Sequence, residues 1–485
     1  ALPLALLAVL ALLLQSLAPH RHVGLLLTLA AAAVLHRGAF GGPHHLLLRY
    51  AAAPEVPYSA LSGFGPGSST FGWSMAYWTA FAALLAVVTG GIWQRGTDPR
   101  LAPRLAALPA RWGRGGRRAV LACGLVFLTV GALAFRRTNI WNRYETEHEL
   151  AAWKADYETK YRPLAELAQP VVTDLRAAID LEPEARRYRV HGRHRLTNPS
   201  GDAIGTVWIV VRRDVTRAQL SLAGSSPAEG DRRFGVHRFA LVRPMAPGAG
   251  LDLAFDLTVE RRSPKADGEE LDIVGNGSYL VGQVALPSVG YRRSYELVDP
   301  AARRRAGLPA RSGPESAERD FPVSLSRMTF ATTVSTPEDQ LAVGPGVFLG
   351  SVVENGRRLS RFAATSPVSA TFAVAAARYA VERRRHAGVE IEIYHHPDHR
   401  RNVGRILDAA ERALALCVAR YGPYPFLQLR LAEVPSRALR AAGFALPGVI
   451  YLAEDRAFLT DASDPARIDL VTKRVAHEVA HQWWG

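Results

Sequence analysis

The sequence predicts a multi-domain chain: a polytopic α-helical membrane domain over residues 1–137, an antiparallel β-rich domain over 187–385, and the start of an α+β domain over 386–485. Residues 138–186 read as a helical linker between the first two. Three observations carry this reading. The first 135 residues hold four apolar runs, the second of them short for a span. The middle of the chain alternates apolar and polar residues between Pro and Gly breaks. The last hundred residues mix strand-like runs with amphipathic helical ones.

Composition bounds the rest. A chain of 485 residues, 48% hydrophobic and 21% charged, is neither disordered nor a disulfide scaffold. Its formal charge is +15, but only four of the 59 basic side chains are Lys (154, 160, 265 and 473). No basic tract interleaved with aromatics appears, so no nucleic-acid partner is expected. Cys123 and Cys417 are the only cysteines, and neither sits in a Cys-rich cluster. The chain begins at Ala1 and stops at Gly485 inside what reads as a continuing helix, so a fragment open at both ends is expected.

The apolar runs are Ala1–Ala18, Gly24–Leu35, Gly72–Trp93 and Ala119–Phe135. Trp73, Tyr77, Trp78 and Trp93 stand near the ends of the third, as an aromatic belt requires. One signal peptide would explain the first run alone; four runs call for about four spans. Residues 94–118 carry Arg95, Arg100, Arg104, Arg111, Arg114, Arg117 and Arg118 against Asp98, whereas 36–71 carry only Arg37, Arg49 and Glu55. The positive-inside rule puts 94–118 in the cytoplasm and everything from about residue 138 outside it.

From Asn139 to Ala178 the pattern is helical, with Trp153, Tyr157 and Tyr161 at period four. Tyr188–Leu196 and Thr206–Arg212 alternate as strands around Asn198-Pro199-Ser200-Gly201, which reads as a hairpin. Further strands are expected at Phe239–Val242, Leu251–Val259, Met328–Val334 and Ala370–Ala375, with a loop at 301–320. Beyond 386, Val389–Tyr394, Leu427–Val434 and Val449–Leu452 read as strands. Arg401–Tyr421 reads as a helix with Ile406, Ala409, Ala413, Leu416 and Val418 apolar, stopped by Tyr421-Gly422-Pro423-Tyr424-Pro425. A last helix is expected from Asp464 as N-cap and Pro465 as first helical residue.

That last helix contains His477-Glu478-Val479-Ala480-His481. Residues four apart share one helix face, so both imidazoles can ligate a single Zn²⁺. Glu478 follows the first His directly; its carboxylate can take a proton from an attacking water without itself being a ligand. Chance would produce this pattern on the order of 0.02 times in such a chain, so a metal site at His477 and His481 is the expectation. A catalytic zinc site needs a third protein ligand, and nothing upstream offers one.

His477 through Gly485, ending Gln482-Trp483-Trp484-Gly485, resembles the zinc helix of the membrane alanyl aminopeptidase family, the aminopeptidase N-like gluzincins. Tyr421-Gly422-Pro423-Tyr424-Pro425-Phe426 is similar to that family's helix-to-strand junction. Asn276-Gly277-Ser278 and Leu286-Pro287-Ser288-Val289-Gly290-Tyr291 are similar to its β-domain. The likeness spans about 185–485 and implies a thermolysin-like catalytic domain. It assigns zinc to His477 and His481 and the catalytic role to Glu478, and puts a third ligand, a Glu, and a catalytic Tyr past Gly485. The family's amine-binding Glu corresponds to Ala445, within Ala442-Gly443-Phe444-Ala445-Leu446, and an uncharged side chain cannot pair with an ammonium. Pro57-Tyr58-Ser59 through Gly65, followed by the Trp-rich third span, is similar to bacterial members fused to an ABC-transporter permease-like membrane domain. This implies a bacterial inner-membrane protein, further spans before Ala1, and an ABC-transporter ATPase subunit as a partner to consider.

Other groups read more plainly. His395-His396-Pro397-Asp398-His399 could be a second metal site but reads better as surface His around a turn. Asn276-Gly277-Ser278 fits a glycosylation sequon but reads as a turn. Trp483 and Trp484 read as core packing behind the zinc helix, and Arg303–Arg305 as a solvated loop. The leading expectation is a membrane-anchored zinc metallopeptidase acting on peptides; the alternative is a transport-complex subunit whose peptidase-like domain only binds them.

Overall fold

The computed structural model describes residues 1–35, 45–56, 58–94, 100–142, 144–226, 229–261, 272–311, 327–439 and 441–484. Arg37, Arg95 and Asp98 of the charge argument, residues 312–320 of the expected loop, and Gly485 lie outside them. The described residues divide into two units: one within 1–57 and 64–147, the other within 58–63, 148–261 and 272–484.

The first unit is helical: α1 (Leu2–Leu17), α2 (Arg21–Leu35), α3 (Gly67–Ile92), α4 (Leu101–Ala106) and α5 (Leu108–Phe135), the last continuing through a π turn to Ile140. Two of these are long and apolar enough to cross a membrane, α3 with 26 residues and Leu108–Ile140 with 33. At about 1.5 Å per residue, α1 and α2 reach only about 24 and 22 Å against a hydrocarbon core of about 30 Å. The expected four spans are thus four helices, of which two have spanning length. Residues 94–118 are not one loop either, since α4 and the start of α5 occupy 101–118. Tyr77 and Trp78 depart from the belt reading: Tyr77 stacks on Phe127 with centroids 4.8 Å apart, and buried Trp78 donates from its indole N–H to the Leu46 carbonyl.

After residues 58–63 the second unit resumes at His148 within α6 (Glu147–Tyr161) and continues into β1 (Val171–Glu182), so the expected helical linker over 138–186 is corrected. Trp153, Tyr157 and Tyr161 do line one helix face, but they bury it against Val210, Phe234 and Val236. The strands continue as β2 (Arg187–Thr197), β3 (Ile204–Val210), β4 (Arg217–Leu222), β5 (Glu229–Asp231), β6 (Val236–Met245), β7 (Gly250–Glu260) and β8 (Ser278–Val281). After α7 (Gly282–Ala285) come β9 (Ser288–Val289) and α8 (Pro300–Arg305). Then follow β10 (Arg327–Pro337), β11 (Leu341–Val343), β12 (Val347–Glu354), β13 (Arg357–Ala363), β14 (Val368–Ser369) and β15 (Ala373–Ala377).

The largest sheet has the order β12-β13-β10-β1-β2-β7-β4, with β14 on β10; its pairs are antiparallel except β1 with β10. β2 shows why the alternating segments fold this way. Tyr188, Val190, His194 and Leu196 face the core, while Arg189 and Arg195 face out and pair with Asp256 and Asp252 across the strand. The expected hairpin between β2 and β3 does not form. β3 pairs with β6 and β9 in another sheet. Asn198 diverts the chain, because its amide donates to the Asp202 and Met245 carbonyls and its oxygen accepts from Ser200.

The C-terminal part is mixed α/β. Its sheet has the order β16-β17-β18-β20-β19, from β16 (Ala380–His386), β17 (Val389–His395), β18 (Gln428–Val434), β19 (Gly443–Leu446) and β20 (Val449–Ala453). The sheet therefore begins at Ala380, before the expected boundary at 386. The three central strands are parallel and both edges antiparallel. Central strands are buried on both faces, so they read as unbroken apolar runs. Helices α9 (Val403–Tyr421) and α10 (Leu470–Ala480) cover one face. On α9 the expected Ile406, Ala409 and Ala413 are buried, together with Val403, Leu407, Ala410, Leu414 and Cys417; Leu416 and Val418, expected inside, are exposed.

His194 makes the β-rich core acid-sensitive. It is 3% exposed, opposite Leu175 and Leu253, and burial pushes its pKa down to about 4, the Pro287 carbonyl offsetting only part. An unfolded His near 6.5 binds protons the folded one refuses, so stability falls as pH drops from about 6.5 to 4, by on the order of 3 kcal/mol. The melting temperature of wild type should fall across this range relative to that of His194→Gln, which lacks the titrating group; parallel curves would refute the assignment.

Candidate functional site

α10 is set by its cap. Asp469 accepts from the Thr472 N–H at 3.0 Å and the Thr472 hydroxyl at 2.7 Å, and it pairs with Arg405 of α9 at 2.6 Å. These contacts hold its carboxyl down at about pKa 2, against the opposing effect of its own desolvation. The cap expected at Asp464 and Pro465 is corrected: Asp464 closes a separate turn by accepting from the Ala466 N–H. Asp464 meets only the exposed Arg467 of its own turn, whereas Asp469 is tied to Arg405 of the neighbouring helix α9. The helix ends at Ala480, with His481 at its C-cap still in helical conformation, rather than running on to the last described residue.

Val471, Val475 and Val479 put one face of α10 in the core, which leaves His477 and His481 on the solvent side. Their Nε2 atoms lie 3.2 Å apart. Two ligands about 2.0–2.1 Å from a tetrahedral cation stand about 3.3 Å from each other. The pair therefore has the spacing of two such ligands. His481 Nδ1 donates to the Trp484 carbonyl at 3.1 Å, which leaves Nε2 as the ring nitrogen that faces His477. Among the described residues no group of three or more His, Cys, Asp or Glu side chains comes together to hold a metal.

Glu478 turns inward and is 8% exposed; burial raises its carboxyl pKa and the nearby His481 partly offsets this. It lies against Gly443 on edge strand β19, where an added Cβ would meet the Glu478 Cγ and Cδ at 2.7 Å. Glycine is what lets strand and carboxylate approach this closely. Ala445, two residues on, packs on the same helix-side core, so β19 presents no carboxylate there.

Gln482 fixes the geometry. Its oxygen accepts from the Gly448 N–H at 2.9 Å and its amide donates to the Leu446 carbonyl at 3.1 Å, tying α10 to the β19–β20 turn. The Tyr424 hydroxyl also reaches it, at 3.4 Å. Trp483 packs on the core and donates to the Gly422 carbonyl, while Trp484 is half exposed and meets Tyr421 edge-on. The Tyr-Gly-Pro-Tyr-Pro junction and the end of α10 are thus one piece of structure. Gly443 and Gln482 had no visible signal beyond their place in the quoted motifs, because close approach and turn bridging are long-range facts.

The other candidates resolve differently. His395 and His399 are buried, not on the surface. His399 Nδ1 donates to Glu433, which raises its pKa, and the His396 N–H donates to the same carboxylate. Asn276 is a turn residue with both ends of its amide engaged. Arg303, expected in a solvated loop, lies in α8 and is buried against Glu158 at 2.7 Å.

No family model and no curated protein matches the chain.

Gln482→Met keeps the volume but takes the acceptor from the Gly448 N–H and one donor from the Leu446 carbonyl. Losing both buried bonds should cost about 2–4 kcal/mol, read as a lower denaturant midpoint with unchanged slope. An unchanged midpoint would show that the clamp is not needed.

Proposed function

We propose that the chain is a membrane-anchored zinc-dependent metallopeptidase, aminopeptidase-like, that hydrolyses peptide bonds. The observation that carries this reading is the His477–His481 nitrogen pair at 3.2 Å with Glu478 held beside it. The donor set fits zinc: two imidazoles on one helix face, one of them oriented through its Nδ1. His477 and His481 would be two of the three protein ligands that a catalytic centre requires; among the described residues no third His, Cys, Asp or Glu joins them. Bound zinc would polarise the scissile carbonyl and make the attacking water more acidic. Glu478 takes the proton from that water at a carboxylate oxygen and later delivers it to the leaving amine. Its position against Gly443 keeps it off the ligand set and at the edge strand.

Ala445 favours a second reading, a transport-complex subunit whose peptidase-like domain binds peptides without cutting them, with an ABC-transporter ATPase subunit as partner. Its apolar side chain offers nothing to a free amine. The retained Glu478 speaks for catalysis, since a binding module has no use for a base between two imidazoles.

In the full-length protein, zinc content should be about one per chain and should be lost in His477→Ala or His481→Ala. Glu478→Gln should keep the zinc and lower peptide hydrolysis about a hundredfold or more. Wild type should show little preference for free over acetylated N-termini. Zinc content unchanged in both His variants removes the site, and background rates for wild type on every peptide favour the binding module.

We also infer a bacterial inner-membrane protein, with α3 and α5 spanning and the second unit extracytoplasmic, from their length and the Arg-rich stretch between them. A reporter fused after residue 106 should be cytoplasmic and one after residue 200 extracytoplasmic. The same side for both would overturn this topology.

A further inference from the structure

Two segments that the proposed reaction leaves unused meet in the second unit. Residues 58–63 lie in the chain between α2 and α3, yet they fold with the second unit. The Ser59 N–H donates to the Gly63 carbonyl at 2.9 Å, closing a small turn that pushes Leu61 into the core. Leu61 is 3% exposed and packs in the cluster containing Tyr279, Val434 and Leu439. Asn276, 215 residues away, donates its amide to the Leu61 carbonyl at 2.7 Å. Gly277 beside it has φ +87°, and a Cβ there would stand 3.0 Å from the Leu61 Cβ, so the turn is shaped to admit this side chain.

Ser59 makes the second attachment. Its hydroxyl donates to Glu454 Oε2 at 2.8 Å, and Ser436 donates to the other oxygen at 3.0 Å. Glu454 is 1% exposed and follows directly on β20. Its own N–H bonds the Val434 carbonyl at the end of β18. β20 carries β19 as its partner, with Leu452 opposite Gly443, and the Ala453 N–H donates to the Ala442 carbonyl. Gly443 is the residue against which Glu478 rests. A continuous set of contacts thus runs from Ser59 through Glu454, β20 and β19 to Glu478.

We propose that residues 58–63 are a latch: docked, Leu61 and Ser59 hold the β20–β19 edge in place beside Glu478; withdrawn, they release it. The latch is covalently continuous with the chain that leads from α2 and into α3. Withdrawal empties an apolar socket and removes a hydroxyl from a buried carboxylate, so the docked and withdrawn arrangements are discrete rather than graded. The proposal does not depend on a metal or on hydrolysis.

Hydrogen exchange in the full chain tests it, comparing wild type with Ser59→Ala and Leu61→Asp. Ser59→Ala removes one bond to a buried charged group, so exchange across 442–446 and 449–454 should rise about tenfold. Leu61→Asp should raise it further and extend to 477–484. Strands β1, β2 and β7 should stay unchanged in both variants. Unchanged exchange at 442–454 in both variants would overturn the latch. An equal rise across all strands would also overturn it, since it would make Leu61 an ordinary core residue. Ser59→Ala keeps the test valid if Leu61→Asp does not fold.

Discussion

The candidate site depends on the phase of one helix. α10 is 11 residues long, too short to persist on its own strength. Its register is set by what it buries: Val471, Val475 and Val479, four apart, against α9 and the sheet. Once these point inward, the 3.6-residue period leaves no freedom for the rest. His477 and His481 must share the open side, and Glu478, next to Val479, must lie at the boundary with the core. A slip of one residue would bury an imidazole and expose a valine. The Asp469 cap at one end and the Gln482 bridge at the other prevent that slip.

The sheet under the helix is what makes a boundary carboxylate possible. β19 is an antiparallel edge on a parallel core, and at Gly443 it has no side chain to oppose Glu478. The parallel strands β17, β18 and β20 end together, and their ends collect buried polar groups: His399 on Glu433, and Glu454 under two serine hydroxyls. Crevices outside the carboxyl ends of parallel strands are where such sheets usually accept ligands. Here that end is occupied by the protein's own chain, through residues 58–63.

Buried charges recur wherever separate stretches of the second unit must be held together. Glu158 of α6 takes two bonds from Arg303 of α8 and one from Arg162. Arg430 of β18 is fully buried, donates to the Gly346 carbonyl and lies over the Phe362 ring, and desolvation lowers its pKa. Such groups add little net stability, but breaking one strands its partner in a poor solvent for charge. Their effect is to penalise wrong arrangements of loops that apolar packing alone would tolerate.

Local pattern by itself determined a good deal. The strands at 188–196, 251–259, 328–334 and 389–394, the helix after residue 401, and the His477–Glu478–His481 spacing are all properties of residues within a turn or two of one another. Periodicity reports which face is apolar, and that was enough to place α9, α10 and two helices of membrane-spanning length. Partner choice was decided only in three dimensions. Tyr188–Leu196 and Thr206–Arg212 look like a hairpin, yet they join different sheets because Asn198 bonds to Met245, 47 residues on. Residues 171–178 pass for helix until β2 and β10 pair with them. Asp464 and Asp469 each have an arginine partner, but only that of Asp469, Arg405, comes from another helix, α9. Arg303, His395 and His399 look solvated until Glu158 and the strand ends enclose them. In each case a short segment has two acceptable local conformations, and a contact from far along the chain supplies the free energy that selects one.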